Sequence, residues 1–247
     1  MPSAVPVQQI PVTTPTPSGG TSPSGAPGGT RGTSGPDSLR GSAGANLIFG
    51  LGGPDSILGL GADDSLYGGD GDDSLLGDVG NDLLFGGAGR DSVLGGVGDD
   101  TSYGGKGSDS MLGEDGNDLL FGNQDADTLL GGAGDDTLFG GAGDDSLFGG
   151  IGNDCLSGDR GRDTLTGGAG NDTFAIGRLA DGDVITDFTD GTDRIRLTAG
   201  LTFGELTIAA GAGTSPSTII QLTNTKETLA TLFGVARTSI TQADFIF

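Results

Sequence analysis

The chain has 247 residues and a formal net charge of −23, from 34 acidic and 11 basic side chains. With so negative a charge and no cluster of basic residues, we expect neither nucleic acid nor an anionic membrane as a partner. The absence of His excludes Ser-His triads, His as a general base and zinc sites of the His type. The single Cys excludes an internal disulfide, and no apolar stretch is long enough for a transmembrane segment.

Residues 1–31 hold seven of the ten prolines, and Ser, Thr and Gly make up most of the remainder. This composition is typical of a disordered tail. The segment lacks a basic start followed by an apolar core, so we do not expect it to be a cleaved secretion signal.

Residues 32–175 form sixteen consecutive nonapeptides without an insertion or deletion, and Gly131–Phe139 (GGAGDDTLF) is a clean copy. So strict a period predicts one structural unit stacked on itself, in which the chemistry of one position recurs along the stack. If each copy is a strand followed by a turn, two copies make one coil of eighteen residues. The repeats therefore predict an all-β solenoid of about eight coils.

Each position of the nonapeptide, numbered from its first Gly, predicts a structural role. The glycines common at positions one, two and four permit left-handed backbone and tight turns. Positions seven to nine are predicted to form a three-residue strand. Position eight, which is apolar in every copy except at Ser102, is its inward-facing row.

Position six is acidic in fifteen of the sixteen copies, and Asn46 is the exception. A carboxylate repeated beside turn carbonyl groups predicts a row of hard-cation sites, and oxygen-only ligands of this kind suit Ca²⁺ better than Mg²⁺. The position-six aspartates are Asp37, Asp55, Asp64, Asp73, Asp82, Asp91, Asp100, Asp109, Asp118, Asp127, Asp136, Asp145, Asp154, Asp163 and Asp172.

The pattern Gly-Gly-x-Gly-x-Asp-x-Leu-x, present in Gly68–Leu76, Gly131–Phe139 and Gly140–Phe148, resembles the calcium-binding repeats-in-toxin (RTX, hemolysin-type) family. The resemblance covers 144 of the 247 residues. It implies a right-handed parallel β-roll with Ca²⁺ between successive coils on both edges. The implied ligands are the position-six Asp and the carbonyl groups of positions two and four, together with the turn two copies later.

The same resemblance implies that the carbonyl ligands include those of a set of glycines at positions two and four. They are Gly69, Gly71, Gly87, Gly89, Gly96, Gly98, Gly132, Gly134, Gly141, Gly143, Gly150, Gly152, Gly168 and Gly170. Asn46, Ala62, Asn123 and Asp125 depart from the pattern, and we expect them to weaken their sites. About a dozen ions remain, and their charge of about +24 would nearly cancel the −23 of the chain.

From residue 176 the period ends and short strand-like apolar runs follow. The predicted runs are Asp183–Phe188, Arg194–Thr198, Leu206–Ala209, Thr218–Leu222, Leu229–Gly234 and Asp244–Phe247. The first two resemble the segment that closes the roll in RTX proteins, including their secreted metalloproteases, but no His-Glu-x-x-His motif is present. Residues 176–247 are thus predicted to be a capping β segment. The final run resembles a C-terminal type I secretion signal, although an ordinary last strand explains the same residues.

Position nine carries a second pattern, because two copies make one coil. Even-numbered copies place Phe49, Tyr67, Phe85, Tyr103, Phe121 and Phe139 there, whereas odd-numbered copies place Leu58, Leu76, Leu94, Leu112 and Leu130. We therefore expect an aromatic ladder on one face and a leucine ladder on the other. Either ladder stiffens short strands, or it is a surface for self-association or for docking of the chain's own C-terminal strands.

The leading hypothesis is a secreted calcium-binding protein that is unfolded in low-calcium cytoplasm, folds in millimolar calcium and has a structural or scaffold role. Calcium-dependent adhesion, as an extracellular-matrix or surface-layer component, is the alternative. A remnant of a secreted RTX enzyme is disfavoured because residues 176–247 offer no nucleophile–base pair. Ice binding is disfavoured because positions three and five lack a Thr row.

Overall fold

The computed structural model describes residues 29–211 and 216–246, which fold into a parallel β-solenoid of about nine turns. Consecutive strands of the repeats alternate between two sheets. Within each sheet, a strand pairs in parallel with the strand one coil further along. The predicted all-β β-roll is confirmed. Among the described residues no helix is long and apolar enough to cross a membrane.

Strands are numbered β1 to β23 in chain order. Sheet 1 contains β1 (Thr30–Arg31), β3 (Leu47–Gly52), β5 (Ser65–Asp70), β7 (Leu83–Ala88), β9 (Thr101–Lys106), β11 (Leu119–Gln124), β13 (Thr137–Ala142), β15 (Cys155–Arg160), β17 (Thr173–Ile176), β19 (Arg194–Leu197) and β23 (Phe245–Ile246). Sheet 2 contains β2 (Ser38–Arg40), β4 (Ser56–Gly61), β6 (Ser74–Val79), β8 (Ser92–Val97), β10 (Ser110–Asp115), β12 (Thr128–Ala133), β14 (Ser146–Ile151), β16 (Thr164–Ala169), β18 (Asp183–Ile185), β20 (Leu206–Ala210), β21 (Ser217–Leu222) and β22 (Thr228–Phe233). Two short 3₁₀ helices span Phe203–Glu205 and Gln242–Asp244.

The full repeat strands have six residues, so the prediction of three-residue strands was wrong. Each runs from position seven across the copy boundary to position three of the next copy. The reason is register: in β5 and β7, Ser65 pairs with Leu83, Tyr67 with Phe85, and Gly69 with Gly87. Pairing at a constant spacing of eighteen residues therefore continues through the glycines.

Position eight forms the core, as predicted. From Leu39 to Phe174 its apolar side chains are at most 2% exposed, and they make one continuous row between the sheets. Because the strand has a two-residue side-chain period, positions seven and nine face outward from the same strands.

Ser102 interrupts this apolar row. It is 1% exposed, pairs with Leu84 and Leu120, and its hydroxyl has no hydrogen-bond partner. We expect Ser102→Val to raise the free energy of unfolding in calcium by about 1–2 kcal/mol, because it removes an unsatisfied buried hydroxyl and adds apolar contact. Urea unfolding measures this, with Ser102→Thr as a control that adds similar volume but keeps the hydroxyl. Equal stabilities for the Val and Thr variants would contradict it.

Both ends of the roll extend beyond the repeats. Thr30 and Arg31 form β1 and pair with Ile48 and Phe49, so the roll includes two residues of the tail predicted for residues 1–31. Residues 1–28 of that predicted tail lie outside the described residues. At the other end, all six predicted runs contain a strand. These strands continue the two sheets, and β20, β21 and β22 are antiparallel neighbours. They extend the end of the roll, so the idea that they dock across a ladder face was wrong.

Candidate metal centre

The position-six side chains form two rows, one on each edge of the roll, which we name the aspartate ladders. Each member donates its main-chain N–H to Oδ1 of the member one coil later, at 2.6–3.1 Å. The odd edge, from the odd-numbered copies, contains Asp37, Asp55, Asp73, Asp91, Asp109, Asp127, Asp145, Asp163 and then Asp183. The even edge contains Asn46, Asp64, Asp82, Asp100, Asp118, Asp136, Asp154, Asp172 and then Asp193.

In most ladder members the second carboxylate oxygen has no hydrogen-bond partner within the described residues. Oδ2 is buried and unpaired in fourteen members, which are all those from Asp55 to Asp163 together with Asp183. A buried carboxylate oxygen without a partner is costly, because burial removes the water that would otherwise solvate it. The ladders therefore present rows of oxygen atoms that lack a positively charged or hydrogen-bonding partner.

Main-chain carbonyl oxygens are the second group of oxygen atoms in each turn, beside the ladder carboxylates. The fourteen predicted glycines all have φ between 102° and 154°, which the left-handed turn at positions two and four requires. In this geometry the carbonyl oxygen of Leu51 faces Gly69 of the next coil so closely that a side chain there would overlap it. The carbonyl oxygen of Gly53 faces Gly71 in the same way. Carbonyl oxygens of positions two and four therefore point into the space between successive turns.

The glycine of position one has a different role from the predicted one, because its φ is not positive. At Gly86, an added Cβ would lie 2.5 Å from Oδ2 of Asp91 and 2.7 Å from the carbonyl oxygen of Gly104. Position one is therefore glycine because the carboxylate of its own copy folds back over it, with the next coil close on the other side.

Burial is the largest influence on the ladder carboxyl groups from Asp55 to Asp172 and on that of Asp183, and it raises their pKa from the ordinary value of 3.8. The main-chain N–H bond lowers it by less, and neighbouring carboxylates raise it further. The pKa is about 6 for Asp91 and Asp118, about 7 for Asp73 and Asp136, and about 8 for Asp127. A cation between the turns would reverse this, since it favours the charged form.

These pKa values predict opposite pH dependence with and without calcium. A raised folded-state pKa stabilises the metal-free roll by protonation, and this stability is lost as pH rises through about 6–8. We therefore expect the β signal of a calcium-free sample to grow as pH falls from about 8 to about 5. The thermal stability of a calcium-loaded sample should instead decrease over the same fall in pH, because carboxylates must be deprotonated to bind calcium. Circular dichroism of both samples measures this, and slopes of the same sign would contradict it.

Position five of the even-numbered copies carries another ladder, which the sequence analysis missed and which we name the rim ladder. Its members are Asp63, Asn81, Asp99, Asn117, Asp135, Asn153 and Asn171, and each later N–H donates to the preceding Oδ1 at 2.7–3.0 Å. The alternation of Asp and Asn separates like charges. On the odd edge, links of this kind join Arg90 to Asp72 and Arg162 to Asp144. The signal in the sequence was the recurrence of Asp or Asn every eighteen residues.

The departures from the repeat keep the turn backbone. Ala62, Asn123 and Asp125 have φ of 62°, 81° and 70°, so each adopts the left-handed conformation usually taken by glycine. Asn46 changes the chemistry instead, because its Nδ2 donates to Oδ1 of Asp64 at 2.7 Å. Asp37, in the first copy, differs too: its Oδ2 accepts hydrogen bonds from Thr33.

Sequence analysis also missed Asp183 and Asp193 as ladder members. They follow their partners Asp163 and Asp172 by 20 and 21 residues, so the period of eighteen conceals them. The available signal was an Asp two residues before an inward apolar residue, as in Asp183-Val184-Ile185.

The donor set fits Ca²⁺, which takes carboxylate and carbonyl oxygens in flexible geometry. Within residues 29–211 and 216–246, no group of three or more Asp, Glu, Cys or His side chains has metal-binding geometry. An ion at a ladder would therefore take main-chain carbonyl groups among its ligands, as the turns provide. The unpaired Oδ2 atoms are the observation that supports the fit.

Fold and donor set together define a β-roll with the ligand chemistry of a calcium-binding repeat. A family model for the RTX calcium-binding nonapeptide repeat (4 copies) matches residues 31–66, 49–84, 58–93, 94–129, 121–156 and 148–181. The matches together span residues 31–181, which is more than half of the chain, and the chain belongs to this family.

Two solved structures are similar to the chain. One is the solution structure of the AlgE6R3 subunit from the Azotobacter vinelandii mannuronan C5-epimerase, with 30% identity and a TM-score of 0.42 over 51% of this chain and 80% of that chain. The other is the crystal structure of the extracellular lipase LipA from Serratia marcescens, with 19% identity and a TM-score of 0.33 over 87% of this chain and 40% of that chain. No curated protein matches the chain.

Proposed function

We propose that this chain is a secreted calcium-binding protein with a structural role, whose roll (residues 32–175) folds when calcium binds. The observation that carries the proposal is the two ladders of buried, unpaired carboxylate oxygens. The fifteen position-six aspartates and the fourteen position-two and position-four glycines named from the sequence would hold the ions. Bound Ca²⁺ would supply the missing partners and neutralise facing carboxylates.

The experiment that tests this proposal is calcium titration by calorimetry. We expect about a dozen ions per chain, enough to offset a net charge of −23. Substituting Asp100→Asn and Asp118→Asn together should remove ions from the even edge, whereas Asp70→Asn, an exposed position-three carboxylate, should leave their number unchanged. No heat and no bound calcium in the parent chain would overturn the proposal.

Secretion follows from the same proposal. RTX repeat proteins are typically secreted. In the folded chain Phe245 is 4% exposed and lies edge-on against Phe203 with ring centroids 5.0 Å apart, which supports the proposal that residues 176–247 are a capping segment. A metal-free, unfolded chain would instead expose Asp244–Phe247 as the C-terminal type I signal.

Adhesion by self-association is the second candidate function, and the aromatic ladder favours it. Its six rings stack with centroids 4.8–5.1 Å apart, and Arg31 lies 4.5 Å above Phe49 at one end. The leucine ladder predicted for sheet 2 is present too, since Leu76 pairs with Leu94 and Leu94 with Leu112. The rings are half-buried and leave an apolar strip along sheet 1.

We expect Phe85→Ser with Phe121→Ser to reduce the particle mass measured by light scattering in calcium. The two substitutions remove apolar contact area from the centre of the aromatic strip. Leu76→Ser with Leu112→Ser is the matched control on sheet 2. If the Phe variants have the same mass as the parent chain, the aromatic ladder is not a self-association surface and only stiffens the sheet.

A further inference from the structure

Strand β20 is the last strand of sheet 2, and within residues 29–211 and 216–246 it pairs only with β21, in antiparallel orientation. Residues of such a strand bond alternately to the partner strand and to the opposite side. Gly211 donates its N–H to the carbonyl oxygen of Ser217, so the odd-numbered residues of β20 bond to β21. The main-chain groups of the even-numbered residues therefore face the open edge of the sheet, and these are Leu206, Ile208 and Ala210.

The side chains at this edge leave the hydrophobic core partly uncovered. Leu206 and Ile208 lie on one face of β20 and pack against the core, yet both are only half-buried. Phe203, just before the strand, is a third half-buried side chain of this kind. Inside the roll, by contrast, core residues such as Leu120 are fully buried. A further strand beside β20 would therefore cover apolar area and also bond to the main chain.

The other three ends of the two sheets are less suited to pairing with another strand. β1 and β23 have two residues each, and β2 has three. β1 and β2 each end on an exposed arginine, Arg31 and Arg40. Short strands and edge charges are devices that prevent strands of different molecules from pairing. β20 has five residues, none of them charged or proline, so it lacks these devices.

Charge repulsion between two copies is small at this end of the roll. Residues 176–247 carry eight acidic and five basic side chains, so nearly all of the net charge of −23 belongs to residues 1–175. Neither β20 nor its neighbour β21 contains a charged residue. Two copies that approach each other through β20 would therefore meet at an uncharged surface.

We propose that β20 pairs with β20 of a second copy of this chain, antiparallel about a twofold axis at Ile208, so that the protein forms a dimer. In this register the two Ile208 residues exchange N–H···O bonds, and each Ala210 donates its N–H to the carbonyl oxygen of Leu206 in the other copy. The N–H of Leu206 is not needed, because it bonds to the carbonyl oxygen of Phe203. Leu206 also lies opposite Ala210, so a large side chain meets a small one.

A second copy suits this edge better than the N-terminal segment of the same chain does. A strand added to an edge must donate main-chain N–H groups, and five of the first seventeen residues are prolines, which have none. β20 is complementary to itself, as a twofold interface requires. Two paired five-residue strands make a small interface, so we expect a monomer–dimer equilibrium at about micromolar concentration.

Sedimentation equilibrium in saturating calcium tests the dimer, with the full chain carrying Phe85→Ser and Phe121→Ser so that the aromatic ladder does not contribute. We expect the mass to rise from that of one chain to that of two between about 1 and 100 µM. Adding Ile208→Lys should raise the dissociation constant at least about tenfold, because like charges then face each other across the axis. Ile219→Lys is the matched control, since Ile219 is also half-buried but lies in β21, away from the edge.

Ala210→Pro is a second variant, which keeps the core contacts of Ile208. It removes an N–H that faces the second copy and none that bonds to β21, so the strand should still form, and the dissociation constant should rise. Circular dichroism in calcium identifies the variants that fold, and the same substitutions in the unsubstituted chain should also lower the mass. A folded parent with the mass of one chain at about 100 µM would overturn the proposal. An unchanged dissociation constant in the folded β20 variants would also overturn it.

Discussion

In buffer containing EGTA at neutral pH, the chain is expected to give the circular dichroism of an unfolded polypeptide, and millimolar calcium should convert it to a β spectrum. The roll buries fourteen unpaired carboxylate oxygens in two rows, and the metal-free carboxylates repel one another. The 53 glycines of the whole chain, most of them in the roll, also lose more backbone entropy on folding than other residues would. Calcium binding energy then becomes folding energy.

The control for this experiment is Mg²⁺ at the same concentration. Magnesium requires a smaller, near-octahedral set of ligands and gives up its water reluctantly, so we expect little β signal from it. High NaCl is a second control, because it screens repulsion without providing an ion that bridges the turns. A full β spectrum in EGTA, or equal spectra with both divalent ions, would contradict the expected coupling.

Gly86→Ala, a substitution at position one in the middle of the roll, is expected to lower the stability of the folded chain strongly. The new Cβ would lie 2.5 Å from Oδ2 of Asp91 and 2.7 Å from the carbonyl oxygen of Gly104, so both the carboxylate and the adjacent coil must move. We expect the free energy of unfolding in calcium to fall by about 3 kcal/mol, as for severe overpacking. Each coil contacts only the coils on either side of it, so the substitution should weaken the contact between two adjacent coils near the middle of the roll.

Urea unfolding in saturating calcium measures this change. Gly44→Ala is the matched control, because an added Cβ at Gly44 meets no atom within 4 Å and its φ is not positive. If the two variants have the same midpoint, the close packing of position one against the ladder is not what requires glycine there.

Sequence alone predicted the parts of this fold that repeat. The nine-residue period gave the two sheets, the inward row at position eight and the Asp at position six, because each is set by local chemistry that recurs in every copy. The aromatic stack was equally accessible, since Phe85 and Tyr103 are eighteen residues apart and must face the same way. Conformation within the turns, such as positive φ at Gly87, also follows from glycine chemistry.

Features that depend on the contact between coils were harder to predict. The strand continues through position three because of pairing with the next coil, which a single copy does not reveal. Asp183 and Asp193 were missed because they follow the preceding ladder member by two and three residues more than the eighteen of a regular coil, although they accept the same hydrogen bond. A contact of Asp125 was also hidden from the repeat pattern, because its partner, the N–H of Gly107, belongs to another turn.

A crystal structure of the calcium-loaded chain, with anomalous diffraction to locate the ions, tests the central claim most directly. Two rows of Ca²⁺ are predicted, one along each edge, with ladder oxygens such as Oδ2 of Asp91 and Asp100 at about 2.3–2.6 Å from an ion. Ions bound only to exposed carboxylates, with the ladder oxygens still without a partner, would contradict the claim that calcium joins successive turns.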